Sequence, residues 1–196
     1  MIKIFLADGQ AKFLDKLQSY LEPESDFEVI GTALNENEVL SFLELNSNVD
    51  VIVLDAELPD NDGLQICRVI KNDAKFKHIK ILMLVAQYKN DASSDWRWKY
   101  ADCCREKSIS NEEFVRAIHN AHSAKLITRR EKEIMVLFAQ GYSSREIAKL
   151  IFISKHTVEI HQKRLYQKLG FVFSNSAIAR YAVEHGFVKS SPLLKD

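Results

Sequence analysis

Three apolar runs, "IKIFLA" (2–7), "VDVIVLD" (49–55) and "IKILMLVA" (79–86), are separated by stretches whose apolar residues recur at helical spacing. A strand that is apolar on both faces must be covered on both, and helices between successive strands supply that cover. The pattern therefore demands a parallel sheet between helical layers. "AKFLDKLQSYLE" (11–22) places Phe13, Leu14, Leu17 and Leu21 on one helical face. "FEVIGTA" (27–33) reads as a strand, "NENEVLSFLELN" (35–46) and "GLQICRVIKND" (63–73) as helices, and a short strand is expected near 101–106. Ser110 and Glu113 form a capping box opening the helix 111–124. Ligands of such sheets bind beyond the carboxyl ends of the strands, where "LADGQ" (6–10) puts Asp8 and where Asp55 closes the second run. One acid alone is a thin metal site, so the question is what accompanies Asp8.

From about residue 125 the strand signal stops. Thr128 with Glu131 caps "REKEIMVLFAQ" (130–140), Gly141 ends it, and Ser143 with Glu146 caps "SREIAKLI" (144–151). Ser154 can cap "KHTVEIHQKRLYQKL" (155–169), which Gly170 stops, and "NSAIARYAVEHG" (175–186) is a fourth helix. The two helices joined by "IFI" (151–153) match a helix-turn-helix, with 155–169 as the helix that enters the major groove. Val158, Leu165 and Leu169 are expected to face the core. Lys155, His156, Glu159, Ile160, Lys163 and Arg164 lie on or near the remaining surface.

Charge divides the chain as the patterns do. Residues 1–124 carry 14 Lys and Arg against 21 Asp and Glu, whereas residues 125–196 carry 13 against 6. An acidic half joined to a basic half implies two domains with different partners, the basic one suited to nucleic acid. No apolar run is long enough to span a bilayer and no charged-then-apolar leader is present, so a soluble, unexported, cytoplasmic protein without a membrane partner is expected. Three cysteines, two of them adjacent, are no disulfide framework.

"LITRREKEIMVLFAQGYSSREIAKLIFISKHTVEIHQKRLYQKLG" resembles the DNA-binding domain of the LuxR/NarL/FixJ transcription regulators over nearly all of 126–188. By that resemblance Lys155, Thr157 and His161 lie near phosphates of double-stranded DNA, while Glu159, Ile160 and Lys163 face bases. Glu159 departs from the usual lysine. The resemblance also implies a homodimer, with helix 175–186 as a contact on DNA. The first 124 residues resemble the receiver domain that commonly precedes this one. "VIVLDAELPDNDGL" (51–64) matches the stretch around a phospho-accepting aspartate, here Asp55, and Lys107 falls at the lysine that contacts the phosphoryl group.

A receiver normally holds Mg²⁺ with two acids after the first strand, the phospho-acceptor and a carbonyl two residues past it, because phosphoryl transfer to a carboxylate brings negative charges together. Here the second acid is Gly9, leaving Asp8 and Asp55 as a weak Mg²⁺ site with Glu57 as a candidate replacement. The hydroxyl residue that reads the phosphoryl group is Val85, and its aromatic partner is Cys104. The expectation is an atypical receiver, requiring no cofactor, in which Lys107 neutralises Asp8 and Asp55 directly. Two alternatives stay open. One is a conventional phosphoswitch through Asp55 with a histidine kinase partner. The other is an interaction or ligand-sensing module with secondary DNA binding.

The expected fold is thus a flavodoxin-like α/β receiver with a five-stranded parallel sheet (1–121), a short linker (122–127) and an all-α four-helix DNA-binding domain (128–196). Cys103–Cys104 as a redox pair, His119 and His122 as a metal pair, and Trp96 and Trp98 as a lid or partner surface are weaker readings than plain packing. No Ser-His-Asp arrangement or Gly-rich phosphate loop marks an enzyme.

Overall fold

The computed structural model describes residues 1–59, 63–87, 100–125, 127–169 and 175–194, without the side chain of Leu64. Trp96, Trp98 and the expected helix stop at Gly170 lie outside the described residues. These fall into two compact units that divide between Ala124 and Lys125, inside the connection expected at 122–127.

The first unit runs β1 (Ile2–Ala7), α1 (Ala11–Leu21), β2 (Phe27–Ala33), α2 (Glu36–Leu45), β3 (Val51–Asp55), α3 (Leu64–Asn72), β4 (Lys80–Val85), β5 (Cys103–Glu106) and α4 (Asn111–Ser123). The five strands form one sheet in the order β2-β1-β3-β4-β5, and every pairing is parallel. All five residues of β3, the central strand, are buried, as a strand covered on both faces requires. On one face Ile4, Leu6, Val53, Leu82 and Leu84 meet Leu14 and Leu17 of α1 and Phe114 and Ile118 of α4. On the other, Phe5 stacks on Phe42 of α2 with centroids 4.1 Å apart, and Gly31 leaves the room: a Cβ there would lie 2.7 Å from the Phe42 ring.

Two strands begin later than their apolar runs, for one reason. Asp50 turns its carboxylate to the Lys3 N–H at 2.8 Å, and Asp102 Oδ2 receives the Ile81 N–H at 2.9 Å and Lys71 Nζ at 2.7 Å. A side chain takes up a backbone donor just before each strand, so β3 starts at Val51 and β5 at Cys103.

The second unit is helical: α5 (Arg129–Ala139), α6 (Ser144–Leu150), α7 (Lys155–Leu169), α8 (Asn175–Glu184) and a 3₁₀ turn (Pro192–Leu194). Both expected capping boxes form, Thr128 with Glu131 and Ser143 with Glu146. Gly141 ends α5 at φ +95°, where any side chain would be strained. The fourth helix stops at Glu184, short of 186, and Gly186 turns the chain at φ +69°.

Candidate functional site

Strand register builds the acidic pocket. Ala7 pairs with Leu54, Asp55 with Leu84 and Val85 with Glu106, so Asp8, Asp55 and Lys107 emerge together at the carboxyl edge of the sheet. The Lys107 N–H continues the ladder to the Val85 carbonyl at 2.8 Å, which fixes where its side chain starts. Asp8 and Asp55 are 1% and 3% exposed. Each spends Oδ1 on the loop that follows it, accepting from Gln10 N–H at 2.9 Å and from Glu57 N–H at 3.0 Å.

Both Oδ2 atoms point at one ammonium. Lys107 Nζ donates to Asp55 Oδ2 at 2.7 Å and lies 2.7 Å from Asp8 Oδ2. The latter contact is an ion pair without hydrogen-bond geometry, since Asp8 Oδ2 has no hydrogen-bond partner. The Phe13 ring of α1 sits 5.3 Å from Nζ and supplies its quadrupole. Burial works to lower the Lys107 pKa, but the hydrogen bond to Asp55 and the charges of Asp55 and Asp8 outweigh it and raise the value above 10.5. The role of Phe13 escaped the sequence reading: it looked like part of an apolar helix face, and only its place over the strand ends turns it toward Lys107.

The positions where the sequence departs from a receiver are well packed. A Cβ on Gly9 would lie 2.5 Å from Cδ and 2.6 Å from Cγ of Pro59. Val85 and Cys104 are 3% and 2% exposed, and the Val85 side chain has no polar atom to offer the pocket. Glu57 is exposed, and its backbone rather than its carboxylate is what reaches Asp55. Among the described residues no three His, Cys, Asp or Glu side chains are close enough to hold a metal ion. Among the described residues these side chains offer Mg²⁺ two carboxylates rather than three. Two carboxylates are present, a cation already lies between them, and the place of a third acid is filled by a proline ring.

The other candidates resolve as packing. Cys67, Cys103 and Cys104 are buried and form no disulfide. His119 lies 3.4 Å from Asp26 and packs its ring on Phe27.

In the helical unit, α6, the turn and α7 form the helix-turn-helix. Phe152 takes φ +54° in that turn and is 94% exposed. The turn is anchored by Arg130, whose guanidinium pairs with Glu133 and donates to the Ile151 carbonyl at 2.9 Å. Val158, Leu165, Tyr166 and Leu169 of α7 are buried, which leaves Lys155, His156, Glu159, Ile160, Lys163 and Arg164 exposed. Thr157 is half-buried, with its hydroxyl 2.8 Å from that of Ser154, which caps the helix through the Thr157 N–H. His161 is half-buried, and its Nδ1 is enclosed without a partner. Burial, then the Arg164 charge, lowers its pKa, which favours the neutral ring. Sequence reasoning found Glu131 as a cap but missed its second contact. Lys168 Nζ reaches Glu131 Oε2 at 2.7 Å and ties α7 to the start of α5. Residues 37 positions apart give no local signal of pairing.

A receiver-type parallel sheet with Asp8, Asp55 and Lys107 at its carboxyl edge, joined to a helix-turn-helix unit, defines a DNA-binding response regulator. The response regulator receiver domain family matches residues 4–119, and the luxR family of bacterial regulatory proteins matches residues 125–182. The chain belongs to the two-domain response regulators of the NarL/FixJ type, which act in transcription regulation. It is 28% identical to the response regulator protein VraR of Staphylococcus aureus, over 96% of this chain and 99% of that protein. It is similar in fold to RcsB of Salmonella enterica serovar Typhimurium bound to promoter rprA, with TM-score 0.54 and 21% identity over 92% of this chain and 97% of that one. The signal receiver domain of the response regulator NarL from Mycobacterium tuberculosis matches 63% of this chain and 98% of its own length, with TM-score 0.56 and 18% identity. Among the described residues no helix is long and apolar enough to cross a membrane.

Proposed function

We propose that this chain is a cytoplasmic transcription regulator whose receiver domain does not use aspartyl phosphorylation as its switch. It binds a two-fold related DNA site as a homodimer, with α7 in the major groove. The observation that carries the reading is Gly9, packed against the Pro59 ring where a second acid would stand, which leaves Asp8 and Asp55 with the Lys107 ammonium 2.7 Å from each. An internal cation offsets the buried carboxylates without any metal, and Val85 has no hydroxyl with which to read a phosphoryl group. A dimer has support in the RcsB structure of two dimers on two parallel DNAs, whose fold this chain shares.

One observation favours a second reading. Asp55 and the lysine beside it keep the arrangement of a phospho-acceptor, which a histidine kinase partner could use. Intact mass after incubation with acetyl phosphate and Mg²⁺, with Asp55→Ala as control, separates the two. The expected result is no Asp55-dependent phosphoryl adduct; a stoichiometric adduct establishes the phosphoswitch instead.

The DNA assignment is checked separately. Thr157→Ala and Lys163→Ala are each expected to weaken duplex binding about tenfold at moderate salt. Unchanged affinity for both variants removes α7 as the recognition helix and favours an interaction module.

A further inference from the structure

The exposed face of α7 carries two side chains that a phosphate-seeking surface does not call for. Ile160 is 39% exposed, has no polar atom, and stands one turn after His156 and one turn before Lys163. Glu159 places a negative charge on a surface that must approach phosphates. Its charge is managed rather than buried: Lys155, one turn earlier, lies 3.0 Å from Glu159 Oε1, with the two side chains 56% and 45% exposed. The pair leaves Oε2 able to accept a hydrogen bond.

We propose that Glu159 and Ile160 set the base specificity of each half-site, Glu159 accepting from the N4 amino group of a cytosine and Ile160 packing on the C5 methyl of a thymine. This rests on the reading of α7 as the major-groove helix. A carboxylate only accepts, so it selects a base edge that donates. Guanine shows two acceptors in the major groove, and thymine shows one beside its methyl. Adenine sets an acceptor beside its donor, whereas cytosine shows its amino donor alone. Among the four bases cytosine is the match for Glu159. An aliphatic side chain gains nothing from a phosphate and loses its exposed area to water only against an apolar group, and the thymine methyl is the one the major groove offers.

The test uses the full chain and a randomised duplex library, followed by titration of the enriched site. Wild-type protein is expected to enrich sites with a fixed cytosine and a fixed thymine. Glu159→Gln is expected to move the first preference from cytosine to adenine, whose donor and acceptor an amide matches, and to lose about tenfold on the cytosine site. Replacing the thymine by deoxyuridine removes only the methyl. It is expected to cost wild type about threefold and Ile160→Ala nothing. Base preferences unchanged in Glu159→Gln, or equal wild-type affinity for thymine and deoxyuridine, overturn the assignment while leaving α7 as a reader. Failure of wild type to enrich any sequence overturns the assignment together with the major-groove reading on which it rests.

Discussion

Lys107→Met is expected to destabilise the receiver domain by about 2 kcal/mol, and Asp8→Asn in the same chain is expected to restore most of it. Removing one partner of a buried ion pair leaves an uncompensated charge, which typically costs about 3–5 kcal/mol. Here two carboxylates, 2% and 4% exposed at the side chain, would face each other with no cation between them. Lys107 itself is 21% exposed, so water can follow its departure and the cost falls below that range. Asp8→Asn removes one of the two charges and keeps an acceptor for the Gln10 N–H. Chemical denaturation of the three chains at neutral pH reads the effect. The pH dependence gives a second signature. Because the folded-state pKa of Lys107 is raised above 10.5, its contribution is fully present below that value and is lost as pH rises through the higher one. Above neutral pH the stability difference between wild type and Lys107→Met should therefore hold until strong alkali. Equal stability of the two at neutral pH, or a failure of Asp8→Asn to rescue, would show that the ammonium does not hold the pocket together.

What the sequence made legible follows from the range of each interaction. The apolar runs and helical spacings are local, so the parallel sheet and the helices could be read from them, and all three capping boxes follow from residues three apart. Asp8, Asp55 and Lys107 were brought together by resemblance to a receiver, and strand register places them at one edge. What escaped is non-local. Lys71 and Asp102 are 31 residues apart, and only folding turns a surface-looking lysine into the partner of a carboxylate that also holds the Ile81 N–H. The absence of an acid at Gly9 was visible in the sequence, but the proline ring against it was not. The resemblance places His161 near a phosphate. Its enclosed Nδ1 and its nearness to Arg130 of α5 are facts of packing, whereas Arg164, the larger charge on it, stands three residues along its own helix.

Glu131→Ala is expected to cost the helical unit about 2–3 kcal/mol and to weaken DNA binding through displacement of α7. Glu131 is 2% exposed and does two things at once. Its Oε2 accepts the Thr128 N–H at 2.8 Å, closing the cap of α5, and takes Lys168 Nζ at 2.7 Å from α7. A lost helix cap costs about 1 kcal/mol, and a hydrogen bond to a charged group contributes about 1.5–3 kcal/mol. Lys168 is 35% exposed and can turn to water, which keeps the total at the lower end. Burial opposes the Glu131 charge, but the hydrogen bond from Lys168 and those from Thr128 prevail and lower its pKa below 4.5. A depressed folded-state value stabilises above the unfolded one, so this contribution is present above pH 4.5 and is lost as pH falls through the folded pKa. His161 has the same sign from a higher start, with its contribution present above 6.5 and eroding below it. The helical unit is therefore expected to weaken on acidification in two stages, the first set by His161 and the second by Glu131. Calorimetry of wild type and Glu131→Ala from neutral pH down to about pH 3 resolves them, because the variant should retain the first stage and show a smaller second, the part left by Glu146, whose pKa the Ser143 hydrogen bonds also lower. A second stage undiminished in Glu131→Ala belongs wholly to other carboxylates, and the clasp between α5 and α7 would then owe nothing to this ion pair.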